Sequence, residues 1–287
     1  MKFIVVGTGL IGGSMARDLR RLEPEAAILG MDANPAHLEK AREIGLIDRP
    51  AETSDLQDAD WVIVAVPVNH LLTKLPEILD GIGDQTLVTD AGSTKGPVCE
   101  AVREHPRRRN YLACHPIAGT EFTGPTAAIS GLFREKVNII CEVEQTAFAI
   151  QEKALVWFNG MGMRIRYMHP EAHDRHIAYV SHLSHISSFM LGKTVIEKEK
   201  NERDIFDMAG SGFESTVRLA KSSPAMWTPI FEQNKKNVLE TLDEYIENLR
   251  DFRDKLHTDR YADLYREMED TNRIREILNG ISLNKTE

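Results

Sequence analysis

Lys2-Phe-Ile-Val-Val-Gly-Thr-Gly-Leu-Ile-Gly-Gly13 is the stretch on which the fold turns. Phe3 to Val6 is a short apolar run of the kind that makes a parallel strand buried on both faces. Gly7, Gly9 and Gly12 follow at G-x-G-x-x-G spacing, and Ser14-Met-Ala-Arg-Asp-Leu-Arg-Arg21 reads as a helix. Strand, glycine turn and helix are together the setting in which this spacing cradles a dinucleotide. Gly7 permits the tight turn, Gly9 lets backbone approach a pyrophosphate, and Gly12 lets the helix pack close to the strand. At the helix start, Leu10 and Ile11 present free N–H groups and the positive dipole end to the phosphates. The plainer alternative, an ordinary strand-to-helix turn, leaves the acidic residue downstream without a purpose.

That residue is Asp32, at the end of a second strand, Ala27-Ile-Leu-Gly-Met-Asp32. An acidic side chain there accepts hydrogen bonds from the adenosine ribose and repels a 2′-phosphate. Ala33, Asn34 and Pro35 supply no cation, so the expected cofactor is NAD rather than NADP. The competing role for Asp32 is a turn residue in Asp-Ala-Asn-Pro. A helix over residues 35–44 leads to Gly45 as its cap.

Trp61-Val-Ile-Val-Ala-Val66 is the clearest buried strand, ended by Pro67. Strand ends lie on the ligand side of a doubly wound sheet, which places Val66, Pro67 and Val68 along the cofactor path. A helix is expected over 69–80 and a strand over Thr86–Asp90. Asp90-Ala-Gly-Ser-Thr-Lys-Gly96 then points the Ser93 hydroxyl and the Lys95 ammonium at the same edge; Ser93 or Thr94 can also cap the next helix. The strand Tyr111-Leu-Ala-Cys-His115 runs into Pro-Ile-Ala-Gly-Thr-Glu121. Alternation puts His115 and Ala113 on one face and Cys114 on the other. A histidine ending a strand beside a serine-bearing loop is the candidate catalytic residue.

Val137–Glu142 reads as a strand, residues 146–159 as a helix and Arg164–Met168 as a last strand. The expected architecture is α/β: an NAD-binding Rossmann doubly wound sheet over residues 1–167, followed by an all-α domain over 168–287. Pro170 suits a first helical turn, and 171–199 holds no breaker but Gly192, which predicts one long helix. Residues 203–221 read as a broken segment, 222–227 as a helix start, 227–256 and 259–278 as amphipathic helices, and the tail as polar. Long amphipathic helices with no second sheet to cover predict a homodimer through this domain.

Composition narrows the classes. The 287 residues carry a net charge of −9, with 42% hydrophobic and 28% charged residues. No basic face suggests nucleic acid, no apolar run is long enough for a membrane, and no signal peptide precedes the first strand, so a cytoplasmic protein is expected. Cys99, Cys114 and Cys141 fit neither a zinc site nor a disulfide framework. Five histidines crowd 169–185, but His173 and His176 lie about 60° apart on a helix, as do His182 and His185, and no metal is expected. One histidine of Ser181-His-Leu-Ser-His185 would instead face the cleft and bind an anion.

Gly7-Thr-Gly-Leu-Ile-Gly12, Asp90-Ala-Gly-Ser-Thr-Lys95, His115-Pro-Ile-Ala-Gly-Thr-Glu121, Ser181-His-Leu-Ser-His185 and Gly212-Phe-Glu-Ser-Thr-Val-Arg-Leu-Ala220 occur in one order. In this the chain resembles the prephenate dehydrogenase family, oxidoreductases of tyrosine biosynthesis. The resemblance implies NAD-dependent oxidation and decarboxylation of prephenate to 4-hydroxyphenylpyruvate. It implies that His115 accepts the hydroxyl proton and that Ser93 holds the His115 ring or the hydroxyl. Arg218 would grip a substrate carboxylate, with His185 as a second anion or keto contact, Lys95 in reserve and Glu121 as a gate. The family often has Pro where this chain has Ser184, and Arg-Asp where it has Glu214-Ser215. Other readings are an arogenate dehydrogenase, a β-hydroxyacid dehydrogenase with Lys193 as its catalytic lysine, and a non-catalytic NAD-binding regulator.

Overall fold

In chain order the strands are β1 (Lys2–Val6), β2 (Ala27–Met31), β3 (Arg49–Pro50), β4 (Trp61–Val64), β5 (Leu87–Asp90), β6 (Tyr111–Pro116), β7 (Val137–Cys141) and β8 (Arg164–Met168). They form one sheet ordered β3-β2-β1-β4-β5-β6-β7-β8. All neighbours run parallel except β6 and β7. The computed structural model describes residues 1–200, 202 and 204–283, with side chains up to 279. Residue 203 of the expected broken segment and the end of the polar tail lie outside these.

Alternate strand residues serve the two faces. Phe3, Val5, Trp61 and Ile63 join one core, where Phe3 meets Trp157 edge-on at 5.1 Å; Ile4, Val6, Val62 and Val64 join the other. The sheet is therefore covered on both sides, as its apolar runs require. The helices over it include α1 (Leu10–Leu22), α2 (Pro35–Glu43), α3 (Val68–Gly81), the short α4 (Gly96–Ala101) and α5 (Phe148–Gly160). The strand order reverses between β1 and β4, and ligands of such sheets bind at the carboxyl ends beside that point. The ends of β1, β4, β5 and β6 lie side by side on this edge.

Beyond β8 come α6 (Pro170–Ile177), a wider π-helical turn (Ala178–His182) and α7 (Leu183–Glu199). The single helix expected over 171–199 is thus interrupted by one loosened turn, with the Leu183 amide reaching back to the Ala178 carbonyl. After α8 (Ser211–Val217) comes α9 (Pro224–Gln233). It stops at Asn234, whose side chain donates to the Asp174 carbonyl at 2.6 Å, so the helix expected over 227–256 is two helices. The second is α10 (Lys235–His257), followed by α11 (Tyr261–Thr271) and α12 (Ile274–Leu283). The boundary expected at 167/168 falls inside β8, one residue before its end, and compactness divides the chain later: Met1–Lys235 is one unit and residues from Lys236 on another. Among the described residues no helix is long and apolar enough to cross a membrane.

Candidate active site

The glycine turn has the shape a dinucleotide needs. Gly7 has φ +91°, and a Cβ there would lie 2.4 Å from the Ala65 carbonyl oxygen. A Cβ on Gly12 would lie 2.1 Å from the Gly7 oxygen. A Cβ on Gly9 would meet no protein atom within 4 Å, so its bare side is open. Gly9 is also the N-cap of α1 and offers no side-chain cap, which leaves the first-turn amides, Leu10 and Ile11 among them, for an anion. Asp32 stands at the end of β2. Its Oδ2 accepts from the Thr8 amide and hydroxyl at 2.9 and 3.0 Å, and Oδ1 from the Asn34 amide at 3.0 Å. Val66 and Pro67 follow β4 on the same edge. These residues fit a dinucleotide's pyrophosphate and ribose.

Two strands further along, Asp90 at the end of β5 organises the next part. Its Oδ1 accepts from the Tyr111 hydroxyl (2.8 Å) and the Cys114 amide (2.9 Å). Its Oδ2 accepts from the Gly92 amide at 2.8 Å and pairs with the Lys95 ammonium, which also donates to the Cys114 carbonyl at 2.8 Å. Both charged side chains are fully buried. Burial pulls the Lys95 pKa down, but the charge and hydrogen bond of Asp90 outweigh it and leave it raised. The expectation that Lys95 meets substrate is therefore corrected: its ammonium braces the end of β5 against β6 from inside.

Ser93 is half-buried at the edge, and its hydroxyl has no hydrogen-bond partner among the described residues. Neither Ser93 nor Thr94 caps α4. Thr94 donates to Gln233 at 2.6 Å, while the cap is Asp174 of α6, which takes the Lys95 and Gly96 amides at 2.7 and 2.8 Å. Lys95 itself occupies the N-cap position, so the capping carboxylate has to come from outside.

His115 closes the row of strand ends, 9% exposed. The group holding its ring is not Ser93 but His173: His115 Nδ1 lies 2.8 Å from His173 Nε2, and His173 Nδ1 lies 2.7 Å from Asp174 Oδ1. Burial drives the His115 pKa well below its usual value, and the neighbouring His173, Lys95 and His182 push the same way. His173 is lowered by burial, against the pull of Asp174. Burial would raise Asp174, but the His173 bond and the two α4 amides hold it low and ionised.

The two histidines of Ser181–His185 separate. His182 is buried against the edges of Trp227 and Phe231, bonds Asn234 at 3.2 Å, and is pushed down to about 4 by burial. His185 is half-buried, stacks on Trp227 at 3.5 Å, and feels the Arg218 charge. It is the one on the Arg218 side. Its Nδ1 donates to the Ser181 carbonyl at 3.0 Å, so in the neutral ring Nε2 is an acceptor. Burial lowers its pKa, partly offset by that bond, so in its neutral form His185 presents an acceptor rather than an N–H on the Arg218 side. Arg218 is half-exposed and pairs with Glu121 at 3.3 Å. Lys193 is exposed and pairs with Glu197 at 3.7 Å, one turn along its own helix. Among the described residues no group of three His, Cys, Asp or Glu is placed to hold a metal ion.

His173, Asp174 and Asp90 were not singled out by sequence. A carboxylate ending an apolar strand was the available signal for Asp90; for His173 there was only its place in the histidine cluster.

The comparisons with known proteins span the chain. Residues 15–167 match the family profile described as prephenate dehydrogenase, nucleotide-binding domain, and residues 169–270 that described as prephenate dehydrogenase, dimerization domain. Prephenate dehydrogenase of Bacillus subtilis is 32% identical over 267 residues, covering 92% of this chain and 72% of that protein. The crystal structure of prephenate dehydrogenase from A. aeolicus in complex with hydroxyphenyl propionate and NAD+ superposes with a TM-score of 0.88 at 30% identity, covering 97% of this chain and 98% of that one. Synechocystis arogenate dehydrogenase gives 0.76 at 28% identity, covering 97% and 100%. With both halves matched in order and nearly the whole length shared with solved members, the chain belongs to the prephenate dehydrogenase family.

Proposed function

We propose that this enzyme oxidises and decarboxylates prephenate to 4-hydroxyphenylpyruvate. It is an NAD-linked oxidoreductase of the prephenate–arogenate type, and NAD+ supplies the hydride acceptor when bound. The observation that carries the reading is His115: a neutral, buried imidazole at the carboxyl edge, one nitrogen tied to His173 and the other free of protein partners among the described residues. Prephenate bears a hydroxyl and a hydrogen on one ring carbon. As that hydrogen leaves with its electron pair, the hydroxyl must give up its proton, and loss of CO2 then makes the ring aromatic. A neutral imidazole accepts this proton; an imidazolium cannot. The free Ser93 hydroxyl is available to the same oxygen.

The glycine turn, with the Leu10 and Ile11 amides, holds the cofactor's phosphates. Asp32 takes the ribose hydroxyls, and Val66 and Pro67 line the path to the nicotinamide. Arg218 binds a carboxylate once Glu121 yields it, which makes Glu121 the gate. Residues 1–167 act as the cofactor domain and 168–287 close on the substrate and form a homodimer. Exposed Leu239, Leu249, Phe252 and Leu256 on α10 support the dimer. The three buried free cysteines suit a cytoplasmic enzyme.

One observation favours arogenate as a second reading. His185 Nε2, an acceptor beside Arg218, suits an ammonium better than a keto oxygen. Initial rates of NADH formation with prephenate, arogenate and 3-hydroxyacids separate these readings. We expect prephenate to give the highest kcat/KM, and His115→Asn to cost roughly 10²–10⁴ in kcat while NAD binding is kept. Preference for arogenate would move the assignment to the second reading. A near-parent kcat in His115→Asn would remove His115 from the chemistry.

A further inference from the structure

We propose that His173 and Asp174 fix the tautomer of His115, so that its Nε2 carries the bare lone pair that meets the substrate hydroxyl. The proposal rests on reading His115 as the residue that meets that hydroxyl. It assigns a positioning role to a pair that touches neither substrate nor cofactor.

The direction of every hydrogen bond follows from the carboxylate at the far end. Asp174 is ionised and can only accept. Its Oδ2 takes the Gly96 amide and its Oδ1 the Lys95 amide, while His173 Nδ1 lies 2.7 Å from Oδ1 and must donate to it. A neutral His173 has one proton, so its Nε2 is then an acceptor. The atom 2.8 Å from that Nε2 is His115 Nδ1, which must therefore carry the His115 proton. What remains on His115 is an unprotonated Nε2. A free histidine ring prefers the opposite arrangement, with the proton on Nε2, which would aim a donor at the substrate hydroxyl.

The pair is sealed from water, since the His173 side chain is wholly buried and that of Asp174 nearly so. Groups facing the two rings come from every packed element: Lys95 and Asp90 from the β5–α4 side, Asp174 from α6 and His182 from the π turn. Lys95 and His182 disfavour a second proton on the pair; Asp90 and Asp174 favour one on His173. When the substrate O–H bond breaks, its proton goes to His115 Nε2 and the C–H electron pair leaves with the hydride to NAD+. The imidazolium so formed keeps its Nδ1–H on His173, with the Asp174 charge behind it. Because Asp174 also caps α4, the element that follows Ser93, one carboxylate sets both the Ser93 loop and the His115 ring.

The test uses substitutions that copy one ring nitrogen at a time. Gln at position 173 places an amide oxygen where Nε2 stands and can accept from His115. Asn reaches only the place of Nδ1, keeping the bond to Asp174 and losing the one to His115. Leu removes both. The full-length enzyme is labelled with ¹⁵N-histidine and its spectrum recorded at neutral pH, with the His115 signal identified by its loss in His115→Asn. We expect the proton on Nδ1 in the parent and in His173→Gln, and a shift towards Nε2 in His173→Asn and His173→Leu. In steady-state kinetics, His173→Leu and His173→Asn should lose roughly 10- to 10³-fold in kcat, the scale of losing a hydrogen bond that orients a working imidazole and sets its tautomer. The prephenate KM should stay within about threefold, the pattern of an interaction felt only in the transition state. His173→Gln should recover most of the loss.

A parent His115 protonated on Nε2 overturns the proposal whatever the variants do. Rescue by Asn equal to that by Gln also overturns it, because only packing against Asp174 would then matter. The spectrum needs no substrate. Its failure is therefore distinct from failure of the prephenate reading, which would show as an Nδ1-protonated His115 in an enzyme that does not turn over prephenate.

Discussion

Arg218 and Glu121 lie 3.3 Å apart across 97 residues of sequence, and the arginine is 51% exposed. An exposed pair of this kind contributes little to stability, so little opposes its opening for a ligand. A planar guanidinium then offers a carboxylate two parallel bonds that it keeps from binding through hydride transfer. Arg218→Ala should therefore act on KM far more than on kcat. With half the side chain in water, the loss should be about 2 kcal/mol, close to thirtyfold in KM. Steady-state kinetics across a wide prephenate range would check it, and an unchanged KM would mean that another group anchors the carboxylate. Lys95 is not that group, because its ammonium is committed to Asp90 and the Cys114 carbonyl. Ser93 of the Gly-Ser-Thr-Lys run follows the end of β5 and is half-buried. Spacing alone could not reveal that the carboxylate five positions earlier would turn inward and take the ammonium with it. Nor could it show His173 against His115, a contact made between residues 58 apart.

At the scale of elements, the glycine turn makes a paired prediction because its glycines are needed for different reasons. A Cβ on Gly12 would collide with the turn's own backbone, while a Cβ on Gly9 would stand in open space that the proposal gives to pyrophosphate. Gly12→Ala should lower both thermal stability and NAD affinity. Gly9→Ala should leave the melting temperature near the parent's and weaken NAD at least about tenfold, or 1.4 kcal/mol. Titration calorimetry and thermal melts on both variants decide it, and a Gly9→Ala enzyme with parent affinity would take the pyrophosphate away from this turn. The strand from Phe3 to Val6 and that from Trp61 to Val64 were legible because a strand buried on both faces must be apolar throughout. The edge strand β3 was not, since Arg49–Pro50 is two exposed residues with no apolar signal. The loosened turn at Ala178–His182 and the break at Asn234 were equally hidden. Neither has a helix-breaking residue, and the Asn234 side chain meets a carbonyl 60 positions away.

On the scale of the whole molecule, His115, His173, His182 and His185 are four histidines whose pKa values are lowered chiefly by burial. Each is held neutral in the folded chain, whereas unfolded it would take up a proton near pH 6.5. Where the unfolded state binds more protons, stability falls as pH falls. The loss therefore begins near pH 6.5 and continues for each ring until its own folded pKa is reached. Asp174 adds to the loss at lower pH, because its folded pKa is lowered as well. His182 allows the clearest test, since it lies outside the His115–His173 pair and is pushed down to about 4. Asp174 pulls its pKa up, His173 and His185 push it down, and Trp227 and Phe231 close round the ring. Between pH 7.5 and 5.0 this one ring should account for about 2 kcal/mol of lost stability. Urea unfolding of the parent and of His182→Leu at both pH values isolates that share. The variant should be less stable at pH 7.5, where a polar ring bonded to Asn234 has been removed, yet lose about 2 kcal/mol less than the parent on going to pH 5.0. Equal losses in the two proteins would mean that His182 takes up its proton in the fold over the same pH range as in the unfolded chain, and that the pocket beside Trp227 is wetter than its burial implies.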